Sequence, residues 1–319
     1  MKIAVLDSYA LKEGDLDWSD LEALGAQVVY YPRTTNEQAV EHIGDAEYVI
    51  VNKVYIGEEV LSACPGLRWI GLTATGTDSL DVQACRRHGV LVANVPAYST
   101  DSVAQMAWAM ILELCQCPGR HDPAVRDGHW KDGVFAQYGI FPQKELAGKT
   151  LGVVGFGDIG RRVALIGQAF GMHVLCNTRT VRPEHRNMGV EFTSLEELMR
   201  RSDVISLHCP ATPATEKIIN ARTLALCRPG TLMVNTARGV LADEEAVRAA
   251  LCSGLLGGYA SDVASVEPIR PDNPLLAAPN TILCPHVAWA TPEALARLSH
   301  EVCENLRAFL NGDLRNIVN

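Results

Sequence analysis

Gly148-Lys-Thr-Leu-Gly-Val-Val-Gly-Phe-Gly-Asp-Ile-Gly160 is an apolar run that enters a glycine turn and then the start of a helix. Free amides at such a helix start can hold a pyrophosphate, so the stretch predicts a dinucleotide-binding βαβ unit. Gly155 permits the tight turn, Gly157 lets the backbone approach the phosphates, and Gly160 lets the helix pack closely on its strand. A glycine turn with no nucleotide is the competing reading, and the strand and helix patterns on either side weigh against it.

Downstream the pattern continues as a nucleotide fold demands. Val163, Ala164, Ile166 and Phe170 read as one face of a helix, and residues 173–177 as the next buried strand. Further strands are expected at 203–207, 231–235, 255–261 and 281–284, with a helix over 243–251 that opens on an acidic first turn. Upstream, the same architecture repeats without the phosphate fingerprint. Strands are expected at 2–6, 26–31, 48–51, 68–72 and 90–94, with helices around 18–24, 37–43, 57–61 and 80–87.

The expected fold class is therefore α/β, with two Rossmann-like, doubly wound parallel-sheet domains and a cleft between them. A chain of 319 residues is long enough for two cores. The longest amphipathic patterns, 99–114 and 291–310, lie where each series ends, so the C-terminal helix is expected to return to the first domain. That gives a discontinuous substrate-binding domain, 1–99 plus 291–319, and a dinucleotide-binding domain over 100–290.

Composition narrows the partners. The formal charge of −9 and pI near 5.5 argue against a binder of nucleic acid backbones. No apolar run reaches bilayer length, and the chain opens directly on a strand pattern, so no membrane partner and a cytoplasmic location are expected. Most of the ten cysteines, among them Cys64, Cys85, Cys176, Cys252 and Cys284, sit in apolar periodicity and read as small core residues. Cys115 and Cys117 have no second pair nearby, and no metal site is expected.

Three polar residues end apolar runs in the second half: Arg238 after Val234-Asn-Thr-Ala-Arg-Gly239, Glu267 in Val263-Ala-Ser-Val-Glu-Pro268, and His286 in Leu283-Cys-Pro-His286. Each alone has an ordinary reading as a cap, a turn or a satisfied structural side chain. Together they emerge at the carboxyl ends of strands, where this fold places its ligands.

These residues resemble the D-2-hydroxyacid dehydrogenase family. The likeness runs through Asn94-Val-Pro-Ala-Tyr-Ser-Thr-Asp-Ser-Val-Ala104, the glycine loop, Leu207-His-Cys-Pro210, Asn235-Thr-Ala-Arg-Gly239, Asp262-Val263 with Glu267-Pro268, and Pro285-His286, and it covers nearly the entire chain. Within that family the chain is most similar to the glycerate dehydrogenases, also called hydroxypyruvate reductases, through 18–25, Asn52-Lys53, Ala74-Thr-Gly-Thr-Asp78, His286-Val-Ala-Trp-Ala-Thr291 and 305–319.

The resemblance implies hydride transfer between a nicotinamide cofactor and a small D-2-hydroxyacid or 2-oxoacid. It makes His286 the acid and base, Arg238 the anchor of the 2-oxoacid carboxylate, and Glu267 the partner that orients the imidazole and favours its charged form. A guanidinium suits that anchoring role because it offers two parallel hydrogen bonds to a carboxylate. Substrate is also expected to meet the amides of Thr75 and Gly76, with Lys53 near its distal oxygen and Trp289 as an apolar wall. Cofactor contacts are carried over to Asp158 and Ile159 (pyrophosphate, through backbone amides), Cys209 and Pro210 (adenosine side), Thr236 and Ala237 (beneath the nicotinamide) and Asp262 (its carboxamide).

One departure bears on the cofactor. Relatives that use NAD commonly carry an acidic residue at the end of the second strand, and eighteen residues past Gly160 this chain has Thr178, within Asn177-Thr-Arg-Thr180. The missing carboxylate removes a repulsion against a 2′-phosphate, with Arg179 as its natural partner, Thr178 and Thr180 as hydroxyl donors and Arg182 as a second cation. NADP(H) is thus favoured; NAD(H), with its ribose bound by Asn177, is the alternative. Glyoxylate reductase, D-lactate dehydrogenase and a broader 2-oxoacid reductase share the same trio. A nucleotide-sensing binding protein or corepressor is the reading from another class. A homodimer is expected through the 99–114 helix, with Val103, Met106, Ala107, Met110, Ile111 and Leu114, and a loop over 118–141 carrying His129, Trp130, Phe135, Tyr138 and Phe141.

Overall fold

The computed structural model describes residues 1–130 and 141–319, so Phe135 and Tyr138 lie outside the described residues. The chain divides into two compact units, Met1–Ser99 with Trp289–Asn319, and Thr100–Ala288.

In the first unit, β1 (Lys2–Val5), β2 (Gln27–Tyr30), β3 (Tyr48–Val51), β4 (Trp69–Leu72) and β5 (Leu91–Ala93) form one sheet in the order β2-β1-β3-β4-β5. Every recorded pair in it is parallel. Alternate residues of each strand face opposite layers, which is why β3 and β4 are apolar throughout. Ala4, Val49, Val51, Ile70 and Leu72 pack against the helices Ala39–Ile43, Glu58–Ala63 and Val82–Arg87. Ile3, Val5, Tyr48, Ile50 and Trp69 pack against Ser19–Glu22 and Pro292–Leu310. The latter helix starts where Thr291 accepts the Ala294 amide and Pro292 takes a first-turn position whose amide needs no partner.

The second unit holds β6 (Thr150–Val154), β7 (His173–Asn177), β8 (Glu191–Phe192), β9 (Val204–Leu207), β10 (Thr231–Asn235), β11 (Leu256–Ser261) and β12 (Thr281–Leu283), ordered β12-β11-β10-β9-β6-β7-β8. Leu151, Val153, Val174, Cys176 and Val234 face the helices Thr100–Gln116 and Asp158–Ala169. Val154, Leu175, Ile205, Leu207 and Met233 face Leu195–Arg201 and Glu244–Cys252. Both sheets are doubly wound. In the second, the strand order reverses at β6, which lies between β7 and β9, and the ends of β6, β9 and β10 line up beside that reversal.

Some expectations are corrected. Residues expected to be loop over 118–141 begin with a helix, Pro118–Arg126, in which Pro118 supplies a first-turn φ at no hydrogen-bond cost. Cys252 is exposed, because the core face of Glu244–Cys252 is Val247, Ala250 and Leu251, whereas half-buried Cys284 packs against the second unit's core; all ten thiols are unpaired. In Thr100–Gln116, Ala107, Met110 and Ile111 are buried in their own unit's core, Met106 and Leu114 pack on the same core, and Val103 is buried. The helix's outward side forms a groove of about 490 Å³ lined by Trp108, Ala109, Leu112, Ile166 and Phe170, with the Asp101–Arg162 pair at 2.6 Å. Among the described residues no helix is long and apolar enough to cross a membrane.

Candidate active site

At the end of β6 the chain turns through Gly155 at φ +96°, and a Cβ there would lie 2.4 Å from the Cys209 nitrogen. Only glycine fits this backbone. A Cβ on Gly160 would lie 2.1 Å from the Gly155 oxygen, whereas one on Gly157 would meet nothing within 4 Å. Gly157 is also the N-cap of Asp158–Ala169 and has no side chain with which to cap the first amides. The turn thus presents open space in front of unsatisfied amides, a donor set that fits a pyrophosphate. Asp158 is paired with Arg161, which leaves its backbone amide as the group that suits an anion.

Two neighbouring strand ends carry buried polar atoms without partners among the described residues, His208 Nδ1 and Thr236 Oγ1. Residue His208 is half-buried, but its ring is enclosed beside Ser206, whose Oγ lies 2.8 Å from Nε2, and burial pushes it down to about 3, so it is neutral. Cys209 follows, its thiol pushed up to about 11 by burial, and the Pro210 carbonyl accepts from Thr215. Orphaned polar atoms beside the glycine turn are what a polar cofactor would leave when absent.

At the end of β7 the Asn177 amide group donates to the Thr193 carbonyl at 3.0 Å, and the Asn177 carbonyl accepts the Gly155 amide at 2.8 Å. Thr178 is half-buried, while Arg179 and Thr180 are exposed. Arg182 is 3.9 Å from Glu184, a loose surface pair. Buried His185 ties this segment to the glycine loop: Nδ1 accepts the Arg182 amide at 3.3 Å, and the ring meets Phe156 edge-on at 5.2 Å.

Arg238, Glu267 and His286 follow the neighbouring strands β10, β11 and β12. Buried Asn235 shapes the first turn: its Oδ1 accepts the Ala237 amide at 3.0 Å and its Nδ2 donates to the Arg238 carbonyl at 2.9 Å. Arg238 is half-buried, with Nη1 donating to the Ala237 carbonyl. His286 Nδ1 donates to Glu267 Oε2 at 2.6 Å, a charge-assisted length. His286 sits at φ +57°, an unfavourable conformation for a residue with a side chain. Asp262 supports it by accepting the Val287 amide at 2.9 Å and the Ala288 amide at 2.7 Å. Burial raises the Asp262 carboxyl from its ordinary range, and those two amides and the His286 charge oppose the rise.

The remaining expected residues belong to the first unit. Lys53 is exposed and its amide donates to Asp7 at 2.9 Å; Asp7 is 3 % exposed and takes the Asn52 amide as well. Asn52 Nδ2 donates to the Thr73 carbonyl, Thr75 Oγ1 to the Val95 carbonyl, and Asn94 Nδ2 to the Thr75 carbonyl. Gly76 lies in the turn these bonds hold. Trp289 packs against the core around Trp18 and Leu295. Neither Asp7 nor Asn235 carries a role in the sequence; Asp7 shows only as a lone acid ending an apolar run, and Asn235 only as the first residue of the Asn235-Thr-Ala-Arg-Gly239 motif.

A doubly wound sheet with this glycine turn and these strand ends defines an NAD(P)-dependent oxidoreductase. Residues 108–288 match the family model of the D-isomer specific 2-hydroxyacid dehydrogenase NAD-binding domain. The chain is 42 % identical to a hydroxypyruvate reductase of Blautia hydrogenotrophica over 321 residues, covering 100 % of both. It is 38 % identical to a glyoxylate reductase of Aeropyrum pernix over 281 residues, 86 % of this chain and 83 % of that one. Among solved structures it is similar to a D-lactate dehydrogenase of Aquifex aeolicus complexed with NAD and lactic acid, with TM-score 0.88, 32 % identity and coverage of 100 % and 99 %. The chain belongs to the D-isomer specific 2-hydroxyacid dehydrogenase family. It is an enzyme that uses NAD(P) to act on the CH–OH group of a small 2-hydroxyacid.

Proposed function

We propose that the protein interconverts hydroxypyruvate and D-glycerate, with NADP(H) as its cofactor. The observation that carries the chemistry is the 2.6 Å bond from His286 Nδ1 to Glu267, which fixes the imidazole and makes Nε2 the atom that exchanges a proton with substrate. When bound, the reduced nicotinamide supplies the hydride to the carbonyl carbon. His286 Nε2 gives its proton to the carbonyl oxygen, Glu267 stabilises the imidazolium beforehand, and Arg238 grips the carboxylate and the charge developing on oxygen. In this reading Thr75 and Gly76 supply amides to the carboxylate, Lys53 meets the distal oxygen and Trp289 limits the apolar side. Thr236, Ala237 and Asp262 hold the nicotinamide, and Cys209 and Pro210 the adenosine.

Support for the three-carbon substrate is the full-length likeness to a protein bearing that name. A site that hydrogen-bonds the extra hydroxyl of hydroxypyruvate leaves those groups unpaired with pyruvate. A panel of hydroxypyruvate, glyoxylate and pyruvate tests it, and a clear pyruvate optimum overturns the substrate. His286→Ala is expected to cut kcat by about 10²–10⁴-fold with nucleotide affinity largely kept. Support for NADP(H) is Arg179, exposed and without an ion-pair partner among the described residues, beside Thr178 where an acid would repel phosphate. A tenfold or larger preference for NADH in kcat/KM overturns that choice.

The same reading makes the protein a cytoplasmic homodimer. Ten unpaired thiols suit a reducing compartment. Trp130, 64 % exposed, and the groove along Thr100–Gln116 offer an apolar surface to a second copy. Sedimentation giving the 34.6 kDa chain mass at every concentration would refute the dimer.

A further inference from the structure

Glu244 opens the helix Glu244–Cys252, directly after its cap Asp243. An acid in a first turn is ordinarily explained by the helix dipole, and its carboxylate then points into water. This one does something else. Its Oε1 accepts the Ser265 amide at 2.9 Å, and its Oε2 accepts the Ser265 hydroxyl at 2.6 Å and Asn273 Nδ2 at 3.0 Å. Asn273 is itself anchored, because its Oδ1 accepts the Leu275 amide at 2.9 Å and so caps the short helix Pro274–Ala277.

The segment gripped in this way carries Glu267. The Ala264 amide donates to Glu267 Oε1 at 3.2 Å, while His286 Nδ1 donates to Oε2. One carboxylate is thus held from two sides, by the 264 backbone and by the imidazole. The Ala264–Ser265 peptide is also pressed from its other side. A Cβ on Gly239, the residue after Arg238, would lie 1.9 Å from the Ala264 carbonyl carbon and 2.4 Å from the Ser265 nitrogen. No side chain fits there, so the turn that carries Arg238 and the turn that leads to Glu267 are in backbone contact.

We propose that Glu244 is a positioning residue for the Glu267–His286 pair, acting through Ser265 and the Ala264–Ser265 peptide. Clamped between the Glu244 carboxylate and Gly239, that peptide sets where Glu267 sits, and Glu267 sets the imidazole. Released on the Glu244 side, the peptide slides, the Ala264 amide leaves Glu267, and the carboxylate swings with it. The inference rests on reading His286 as the proton donor and Glu267 as its orienting acid, so the test carries Glu267→Gln as an internal reference.

Full-length protein and the variants Glu244→Ala, Glu244→Gln, Ser265→Ala and Glu267→Gln are compared for kcat, 2-oxoacid KM and cofactor affinity. Melting temperature and the pH dependence of reduction are recorded alongside. Reduction needs a protonated imidazole and falls as pH rises. Glu267 bonds that imidazole and Asp262 is coupled to its charge; Glu244 holds Ser265, which lies between the two in the chain. Glu244→Ala is expected to lower kcat by about tenfold with cofactor affinity unchanged, and to move the alkaline fall of kcat/KM to lower pH, the same direction as Glu267→Gln. Glu244→Gln keeps an acceptor for the Ser265 amide and is expected to recover kcat to within about threefold of the parent.

Ser265→Ala removes one of the three bonds and keeps the fold testable should Glu244→Ala not fold. It is expected to shift the pH dependence the same way by a smaller amount. A lower melting temperature with the parent's kcat and pH dependence, in Glu244→Ala or, should that variant not fold, in Ser265→Ala, makes Glu244 a loop staple only and overturns the proposal. An unchanged pH dependence in Glu267→Gln overturns the trio reading and the positioning role with it.

Discussion

In the first unit Asp7, at the end of β1, holds the following loops by taking the amides of Asn52 and Lys53; in the second, Gly155, at the end of β6, makes its turn because no side chain is there. Both sheets are parallel, doubly wound and apolar on both faces, so their interiors are close to interchangeable in kind. Their carboxyl edges are not. On one edge a buried carboxylate takes the amides of Asn52 and Lys53, and an amide group and two hydroxyls donate to backbone carbonyls. Glycines shape the other, which leaves amides of Asp158–Ala169 uncapped and open to an anion. On the proposed reading, the chain puts rigidity by side chain where a small acid would be discriminated, and bare backbone where a phosphate would be approached.

Gly155→Ala breaks this contrast most severely. The new Cβ meets backbone at 2.4 Å and the residue must hold φ +96°. Neither is relieved by a side-chain rotation, so the β6 turn must move away from Cys209. Loss of nucleotide affinity by about 100-fold or more is expected, with a lower melting temperature, read by cofactor fluorescence and thermal unfolding. Gly157→Ala, whose Cβ meets nothing within 4 Å, is expected to weaken nucleotide binding while leaving the melting temperature close to the parent's. If the two variants melt alike and bind alike, the glycines are not doing separate jobs.

Asp7→Ala probes the other edge with a smaller effect. It strips the carboxylate from two amides in a site 3 % exposed, which costs about 2–3 kcal/mol in stability. The Asn52–Lys53 turn loosens, and through Asn52 so does the Thr73 end of the Thr75–Gly76 turn. The expected signature is a rise of about tenfold in 2-oxoacid KM with nucleotide affinity unchanged. Asp7→Asn retains an oxygen for those amides and is expected to fall between. A rise in cofactor Kd with no change in substrate KM would break the division of labour between the two edges.

These edges also show what a sequence discloses. Buried parallel strands are short apolar runs, so 48–51, 173–177 and 231–235 are legible to the residue, and the helices Thr100–Gln116 and Pro292–Leu310 by their long periodic faces. β8 was missed because Glu191–Phe192 has no apolar run at all. The helix Leu195–Arg201 was missed although Ser194 followed by Glu197 is a capping spacing, and Ser194 does accept the Glu197 amide. Pro118–Arg126 was hidden by Pro123, which argues against a helix interior. In the site, the glycine turn has a spacing of its own, Arg238, Glu267 and His286 stand out as polar residues ending apolar runs, and the resemblance supplies their roles. Asp7 and Glu244 leave no such trace, and Asn235 stands in a quoted motif with no role attached to it. Each works by bonding backbone amides or polar groups of a turn, and Asp7 reaches across 45 and 46 residues to do so, a partnership no local pattern encodes.

The cysteines serve as reporters of the two units. Cys64, Cys85 and Cys303 are buried in the first unit, and Cys115, Cys117, Cys176, Cys209 and Cys227 in the second. Burial pushes Cys85 and Cys209 up to about 11 and Cys176 and Cys303 up to about 12, so these thiols are protonated near neutral pH and poor nucleophiles until exposed. Cys252 is exposed and is expected to be the fast-reacting thiol of the folded protein in an aromatic disulfide assay. Under mild urea the buried thiols react only as their own unit opens. A nucleotide seated on the second unit's glycine turn stabilises that unit by mass action, about 2.7 kcal/mol at a hundredfold excess over Kd. Labelling of the second unit's five buried thiols is then expected to slow by about 100-fold, while the first unit's three slow less, read by peptide mass spectrometry after pulse alkylation. Equal protection of both sets would mean that the two units open together, and that the contrast between their edges has no counterpart in how they unfold.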